Sequence, residues 1–349
     1  MLTSEILQFL ETARLNCNIA NGFLAGNSAI AELEAKLSSY YDAKHALCVD
    51  SATNGLMYLL LAANLKRSEI LTTALSYGGT IAGALTLDCK FHFADIDSSL
   101  TISPGSTSTI LAKNRKIKAV LAVDFAGNPH QMEAIHNICE EHGIWHFVDA
   151  AQAFGTAIGT TYNASLCDAL VLSFGSGKAI YGGEGGAIIT SNTNLYNKLI
   201  SICQHAHRQE RDLGIGLSHE FALNGRINPF AAIVINGSFN DGLIALDEKR
   251  NEYAKALEIL NSFKSVPEIY SIVDGTFYHV PFSVSNVQSF NKDFNSFPLL
   301  REKFYFTKAN FQTLPKQLEH IEYRSRIKGY SCSTAEEILN NLYLLHLYK

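Results

Sequence analysis

Two residues carry the first chemical signal in the sequence: Lys178 in "LSFGSGKAIYGGEGGAIIT" and Asp149 in "WHFVDAAQ". Each follows a short apolar run with strand character, so each stands where a strand of an α/β chain delivers its last residues. A carboxylate and an amine at two such ends could be a plain buried ion pair. They could equally be the two essentials of a pyridoxal phosphate site. There a lysine forms a Schiff base with the cofactor aldehyde, and an aspartate anion keeps the pyridine nitrogen protonated, so that the ring acts as an electron sink. "DSATNG", residues 50–55, adds an anion site to the second reading. It turns from a strand into a helix, where the backbone N–H groups of Ala52, Thr53 and Asn54 and the hydroxyls of Ser51 and Thr53 can meet a phosphate. Ser173, shortly before Lys178, offers one more hydroxyl. Taken alone, the Ser-x-Thr run is only a helix cap.

The glycines around Lys178 admit other readings. A phosphate-binding loop of the form G-x-x-x-x-G-K-[ST] fails, because Leu172 stands where the first Gly is required and Ala179 where a hydroxyl should hold Mg²⁺. A surface turn remains open. The third reading is a backbone cradle that lets the chain approach a cofactor closely and leaves room for substrate beside Lys178.

The elements that must position these residues follow from periodicity. "AIAELEAKLSSYY", "TNGLMYLLLAANL", "GTIAGALTL" and "PHQMEAIHNICEEHG" read as helices, and "HALCV", "EILTTA", "CKFHFADI", "IKAVLAVDF", "WHFVDA", "DALVLSF" and "GAIIT" as strands. Such alternation implies a mostly parallel sheet covered on both faces, with ligands at the carboxyl ends of its strands. From about residue 229 a long helix is expected, "PFAAIVINGSFNDGLIALDEKRNEYAKALEILNSF", then short strands, and a last helix through "TAEEILNNLYLLHL". The N-terminal "MLTSEILQFLETARLN", with Glu5 and Glu11, reads as an amphipathic helix and not as a signal peptide.

Composition narrows the partners. The chain has 349 residues, 47% hydrophobic and 17% charged, enough for a large core, with a net charge of −5 that argues against nucleic acid as the main partner. No uninterrupted apolar run approaches the roughly 20 residues of a membrane span. The seven Cys form no C-x-x-C pair and suit reduced core thiols in a cytoplasm. The pairs His142/His146 and His205/His207 lack a supporting array of Cys or carboxylates, which argues against a metal.

The blocks "DSATNGLMYLLLA", "TTALSYGGTIAGAL", "VDFAGNPHQMEAIHNICEEHGIWHFVDAAQAFGT", "LSFGSGKAIYGGEGGAIIT" and "NGRINPFAAIV" together resemble, in order, those of the DegT-type pyridoxal phosphate-dependent sugar aminotransferases. The likeness covers roughly residues 20–250. It implies a fold-type-I transferase with a large cofactor-binding domain (1–245) and a smaller C-terminal α+β domain (246–349), working in the cytoplasm as a homodimer with shared sites. It implies an amino donor, glutamate or glutamine, and a keto-sugar acceptor, nucleotide-linked, or a related cyclic ketone, in polysaccharide or natural-product biosynthesis. By the same likeness, Lys178 is the Schiff-base lysine and proton shuttle, Asp149 pairs with the ring nitrogen, and Gln152 contacts the ring hydroxyl. Ala52, Thr53 and Ser173 bind the phosphate, Tyr77 stacks on the ring, and Asn224 and Arg226 of "NGRIN" reach the neighbouring subunit's cofactor. A core role for Tyr77 stays open. Alternatives on the same fold are a dehydratase, a non-sugar aminotransferase or an inactive regulatory protein. Some dehydrating relatives replace the lysine with His, so Lys178 favours transamination. The sequence departs from the family at Gly175-Ser176, where His-Pro or a similar pair is frequent, and at Ala222, where the loop usually has Gly. A Pro-x-His segment between 264 and 330 and a further C-terminal helix are also missing, which bears on the substrate pocket.

Overall fold

The computed structural model describes residues 24–156, 164–214, 222–270, 275, 276, 278–310, 312–320, 323–330 and 332–347, with residues 4 and 7. The helix expected over residues 1–16 therefore lies outside the described residues but for those two.

The first half alternates as its periodicity requires. Its order is α1 (Ala29–Tyr40), β1 (His45–Val49), α2 (Ala52–Ala62), β2 (Glu69–Thr73), α3 (Gly79–Thr86), β3 (Lys90–Ala94), α4 (Pro104–Lys113), β4 (Ile117–Val123), α5 (Met132–His142), β5 (Trp145–Asp149), β6 (Ala169–Ser173) and β7 (Gly186–Thr190). Then come α6 (Thr193–Cys203), α7 (Ala206–Leu213) and the long α8 (Pro229–Leu260). The remainder holds β8 (Val280–Ser283), α9 (Val287–Ser296), α10 (Pro298–Lys303), β9 (Phe304–Lys308), α11 (Leu314–His320), β10 (Ile327–Tyr330), α12 (Ser333–Asn340) and β11 (Leu342–Leu347).

An eight-stranded sheet runs β1-β7-β6-β5-β4-β2-β3-β10. Its neighbours are parallel except at β7, which lies antiparallel to both β6 and β1. Alternate side chains face opposite layers. Leu47, Val49, Phe147, Val171 and Ile188 join α2 and α6 in one core, while Cys48, Val148, Leu170, Leu172 and Ile189 join α1 and the start of α8 in the other. Phe147 is 1% exposed, and its loss to alanine should cost roughly 3–5 kcal/mol.

A second sheet, β8-β11-β9, is antiparallel. With α9 and the end of α8 it encloses a third core around Tyr253, Phe282, Phe290 and Leu345. The expected boundary at 245/246 falls inside α8, between residues that enter the second core (up to Phe239) and those that enter the third (from Tyr253). One strand beyond that boundary, β10, pairs with β3 of the large sheet.

The expected last helix is corrected. "TAEEILNNLYLLHL" is helical only through Asn340, and its second part is the strand β11. Asn340-Asn341 is a weak helix pair. β11 is paired along both edges, and Leu342, Tyr343 and Leu345 are buried, which outweighs the helical preference of its leucines.

Candidate active site

The carboxyl ends of β1, β2, β4, β5 and β6 meet on one cavity of about 470 Å³. Ala52, Thr53, Tyr77, Asp149, Gln152, Ser173 and Lys178 all line it. Seven of the nine site residues expected from the sequence are thus brought together.

Asp149 closes β5 and is buried, 7% exposed. Its Oδ2 accepts from Thr80 Oγ1 at 2.7 Å and its Oδ1 from the Ala151 N–H at 3.1 Å. Burial pushes its carboxyl up from the ordinary range; the two hydrogen bonds and Lys178 oppose that shift, while Asp124 adds to it. Lys178 follows β6 through Phe174 and Gly177. Gly177 has φ +81°, a left-handed turn that costs glycine little and brings Lys178 back over the sheet edge. Lys178 Nζ lies 4.6 Å from the centre of the Tyr278 ring. Burial lowers the pKa of its amine, and the Asp149 anion partly restores it.

The helix start is ordered as a cap. Ser51 Oγ accepts from the Asn54 N–H at 3.2 Å, and the Asn54 side chain donates to Asp50 at 2.7 Å. The Asn54 N–H is thus engaged at the cap, whereas Ser51 Oγ, an acceptor there, keeps its hydroxyl proton as a donor. The N–H groups of Ala52 and Thr53 remain as the first donors of α2. A side chain at Gly186 would place a Cβ 2.7 Å from the Ala52 nitrogen, so glycine there lets β7 lie directly against the cradle. Ser173 Oγ accepts from the Gly175 N–H at 3.3 Å on the same side.

Gln152 has a fixed orientation. Its Oε1 accepts from the Ala126 N–H at 2.7 Å, which leaves its Nε2 as a donor. Tyr77 is 77% exposed at the cavity edge, so it is not a core aromatic. Asn224 and Arg226 do not line the cavity of their own chain. Asn224 is exposed, and Arg226 is half-buried, its backbone bridged to Val49 and its pKa lowered by burial.

Sequence reasoning missed Thr80, Asp124, Tyr278 and His279, all of which line the cavity. Tyr278 and His279 arrive from the C-terminal part. Thr276 Oγ1 donates to the Gln152 carbonyl at 2.8 Å, the Thr276 N–H to the Gly127 carbonyl at 3.0 Å, and the His279 N–H to the Ala126 carbonyl at 3.3 Å. Burial, then His346 and nearby lysines, hold His279 at about 3, so its imidazole is neutral. A larger cavity of about 600 Å³ continues past Lys178 between α8 and the second sheet, lined by Lys249, Tyr253, Tyr305 and His346 among others.

The model of the DegT/DnrJ/EryC1/StrS aminotransferase family matches residues 8–349. A UDP-4-amino-4,6-dideoxy-N-acetyl-beta-L-altrosamine transaminase of Campylobacter jejuni is 28% identical over 263 residues, 72% of this chain and 70% of that one. The spore coat polysaccharide biosynthesis protein SpsC of Bacillus subtilis is 30% identical over 203 residues, 58% of this chain and half the length of SpsC. The crystal structure of a DegT DnrJ EryC1 StrS aminotransferase from Brucella abortus superposes with a TM-score of 0.77 at 17% identity, covering 99% of this chain and 92% of that one.

Proposed function

The chain belongs to the DegT/DnrJ/EryC1/StrS aminotransferase family, and on that premise we propose that it is a pyridoxal phosphate-dependent enzyme moving an amino group from glutamate or glutamine to a keto-sugar, nucleotide-linked, or a related cyclic ketone. The observation that carries this reading is the meeting of Lys178, Asp149 and the first N–H groups of α2 on one cavity. The relatives' action on nucleotide-linked amino sugars supports the acceptor class.

The residues fit the cofactor. The Ala52 and Thr53 N–H groups with the Ser173 hydroxyl would hold its phosphate, Asp149 its ring nitrogen, Gln152 Nε2 its ring oxygen, and the Tyr77 ring one face. Bound there, pyridoxal phosphate would supply an aldehyde that exchanges amines and a ring that takes up electrons from the carbon losing its proton. Lys178 has the half-buried amine whose lowered pKa favours the neutral, nucleophilic and proton-accepting form. Thr80 and the Ala151 N–H hold the Asp149 carboxylate oriented and counter its desolvation. Tyr278 and His279 add to the cavity wall beside Lys178, whose Nζ lies over the Tyr278 ring.

We further assign a cytoplasmic homodimer in which Asn224 and Arg226 serve the partner's cofactor, and a division into a large domain and a small one joined through α8. Exposed Tyr77 (77%), Tyr181 (51%), Leu223 (45%) and Ile244 (60%) support a covering surface. The test is chemical. Borohydride reduction of the loaded protein followed by peptide mapping should find the cofactor on Lys178, and the amine-loaded protein should return to its aldehyde absorbance with keto-sugars. Attachment to another lysine overturns the assignment.

A further inference from the structure

Beside Asp149 lies a buried polar chain to which the roles above give no part. Asp124 follows β4 directly, and its side chain and that of His130 are wholly buried. His130 Nδ1 lies 2.6 Å from Asp124 Oδ1, and the His130 backbone N–H donates to the same oxygen at 3.0 Å. His130 Nε2 lies 3.1 Å from His146 Nε2, and His146 Nδ1 lies 2.9 Å from the Leu166 carbonyl.

Donor and acceptor capacity fixes the protons along this chain. The Leu166 carbonyl only accepts, so His146 carries its proton on Nδ1. Burial, with His130 as the next cause, holds His146 well below the ordinary imidazole range, so its Nε2 is bare and accepts. His130 Nε2 must then carry a proton and donate. The short His130–Asp124 contact holds one proton more, between Nδ1 and Oδ1. Whichever atom bears it, the pair has no net charge. The second oxygen, Asp124 Oδ2, is buried without a hydrogen-bond partner among the described residues, and Asp124 lines the cavity together with Asp149 and Lys178.

We propose that Asp124 and His130 are a positioning pair for the cofactor site, in which His130 neutralises a second carboxylate at the cavity floor so that Asp149 alone presents a net negative charge to the ring nitrogen. The inference rests on the pyridoxal phosphate reading. Two uncompensated carboxylates sharing one desolvated site would bind a proton between them, and the one remaining negative charge would be divided with Asp124 and no longer held at the ring nitrogen. An ionised Asp124 pushes the Asp149 carboxyl upward, and that is the interaction His130 offsets. The other titratable groups around the pair are Lys178 across the cavity, His146, His136 and Asp168 behind it, and the buried Tyr41 and Cys167, whose hydroxyl and thiol burial pushes up and Asp124 pushes up further.

The first test needs no cofactor. In the ¹⁵N spectrum of the cofactor-free protein, His130 should show both ring nitrogens protonated, or the Asp124 carboxyl should be protonated in the infrared, while His146 shows one bare nitrogen. A neutral His130 beside an ionised Asp124 overturns the proposal. The second test is a charge cycle read by pyridoxal phosphate affinity and by the ring-nitrogen ¹⁵N shift. His130→Asn keeps a donor at the Nδ1 position but removes the charge, and should weaken binding about tenfold and lower ring-nitrogen protonation, a change of the size that one coupled charge makes. Adding Asp124→Asn removes both charges and should bring affinity back to within about threefold of the parent, since the coupling is electrostatic. A purely packing role predicts that the double variant is worse than either single one, and that result overturns the proposal. If the parent protein binds no pyridoxal phosphate, the functional reading fails instead, and the cofactor-free spectrum still decides the proton count.

Discussion

Lys178 and Asp149 are shifted in opposite directions by the same cause, desolvation, and that sets what their variants should do. Lys178→Ala should still retain cofactor through Asp149 and the α2 cradle but should not transaminate; retained turnover would remove its role as proton carrier. In the cofactor-free protein, labelling of Lys178 by an acylating reagent should rise with pH at a lower midpoint than that of the surface lysines, because only the neutral amine reacts. Asp149→Asn should reduce turnover about a hundredfold or more, a barrier increase of roughly 3 kcal/mol. Its effect on stability has the other sign. The folded carboxyl titrates above its unfolded value, so burying its anion costs stability at pH values above the raised pKa, and that cost disappears as pH falls through the raised value to the ordinary one. The cofactor-free Asp149→Asn protein should therefore melt higher at neutral pH, by about 2 °C, and calorimetry at neutral and acid pH should show the gap closing. Both residues were legible because each ends an apolar strand, where side-chain type alone carries the chemistry. Thr80, Asp124 and His130 were not: a hydroxyl in "GTIAGALTL" and an Asp-His pair spread over "DFAGNPH" look like ordinary turn and helix residues until the fold places Thr80 on Asp149 and His130 on Asp124.

At the level of elements, the strands from β1 to β7 were readable because alternate residues face two different cores. α4 was not, since "PGSTSTILAK" has little apolar period; its start is set by the Ser103 cap and Pro104 at the first turn. β11 was misread as helix because pairing on both edges is a tertiary fact. The segment carrying Tyr278 and His279 was invisible for the same reason, being aimed by backbone bonds to the loops after β4 and β5. Gly127 is the point at which that stitching is most sensitive. It has φ +86°, and a Cβ there would clash with Thr276 Oγ1. Gly127→Ala should destabilise the protein by about 1–3 kcal/mol through overpacking, with backbone strain added. It should also lower turnover more than cofactor affinity, because it moves Tyr278 away from Lys178 and leaves the phosphate cradle in place. Denaturant titration and cofactor titration on the same variant separate the two effects; equal loss of both would mean that the segment does not act on the lysine.

For the whole molecule, the outstanding issue is where Asn224 and Arg226 act. Within one chain they flank Gly225, whose carbonyl accepts from the Asp50 N–H, and neither lines the cavity. A half-buried guanidinium with its pKa lowered by burial, beside an exposed Asn, gives little to a lone subunit. Tyr77, Tyr181, Leu223 and Ile244 are exposed in the single chain. α8 adds to this: it is long and apolar enough to cross a membrane by composition, yet only 28% of its most apolar stretch is buried. An isologous dimer would cover such surfaces and bring each "NGRIN" loop to the partner's site at once. Mixing then distinguishes shared from separate sites. A Lys178→Ala chain and an Asn224→Ala/Arg226→Ala chain should each be inactive alone. After subunit exchange, half of the dimers are mixed, and each has one site where an intact lysine meets an intact loop, so activity should return to about a quarter of the parent value. Separate sites predict no recovery, because each mixed dimer would hold one site without its lysine and one without its loop. Sedimentation of the active protein as a monomer would reject the shared arrangement independently. Cofactor should also tighten the dimer, since a ligand that bridges two chains stabilises their association by linkage.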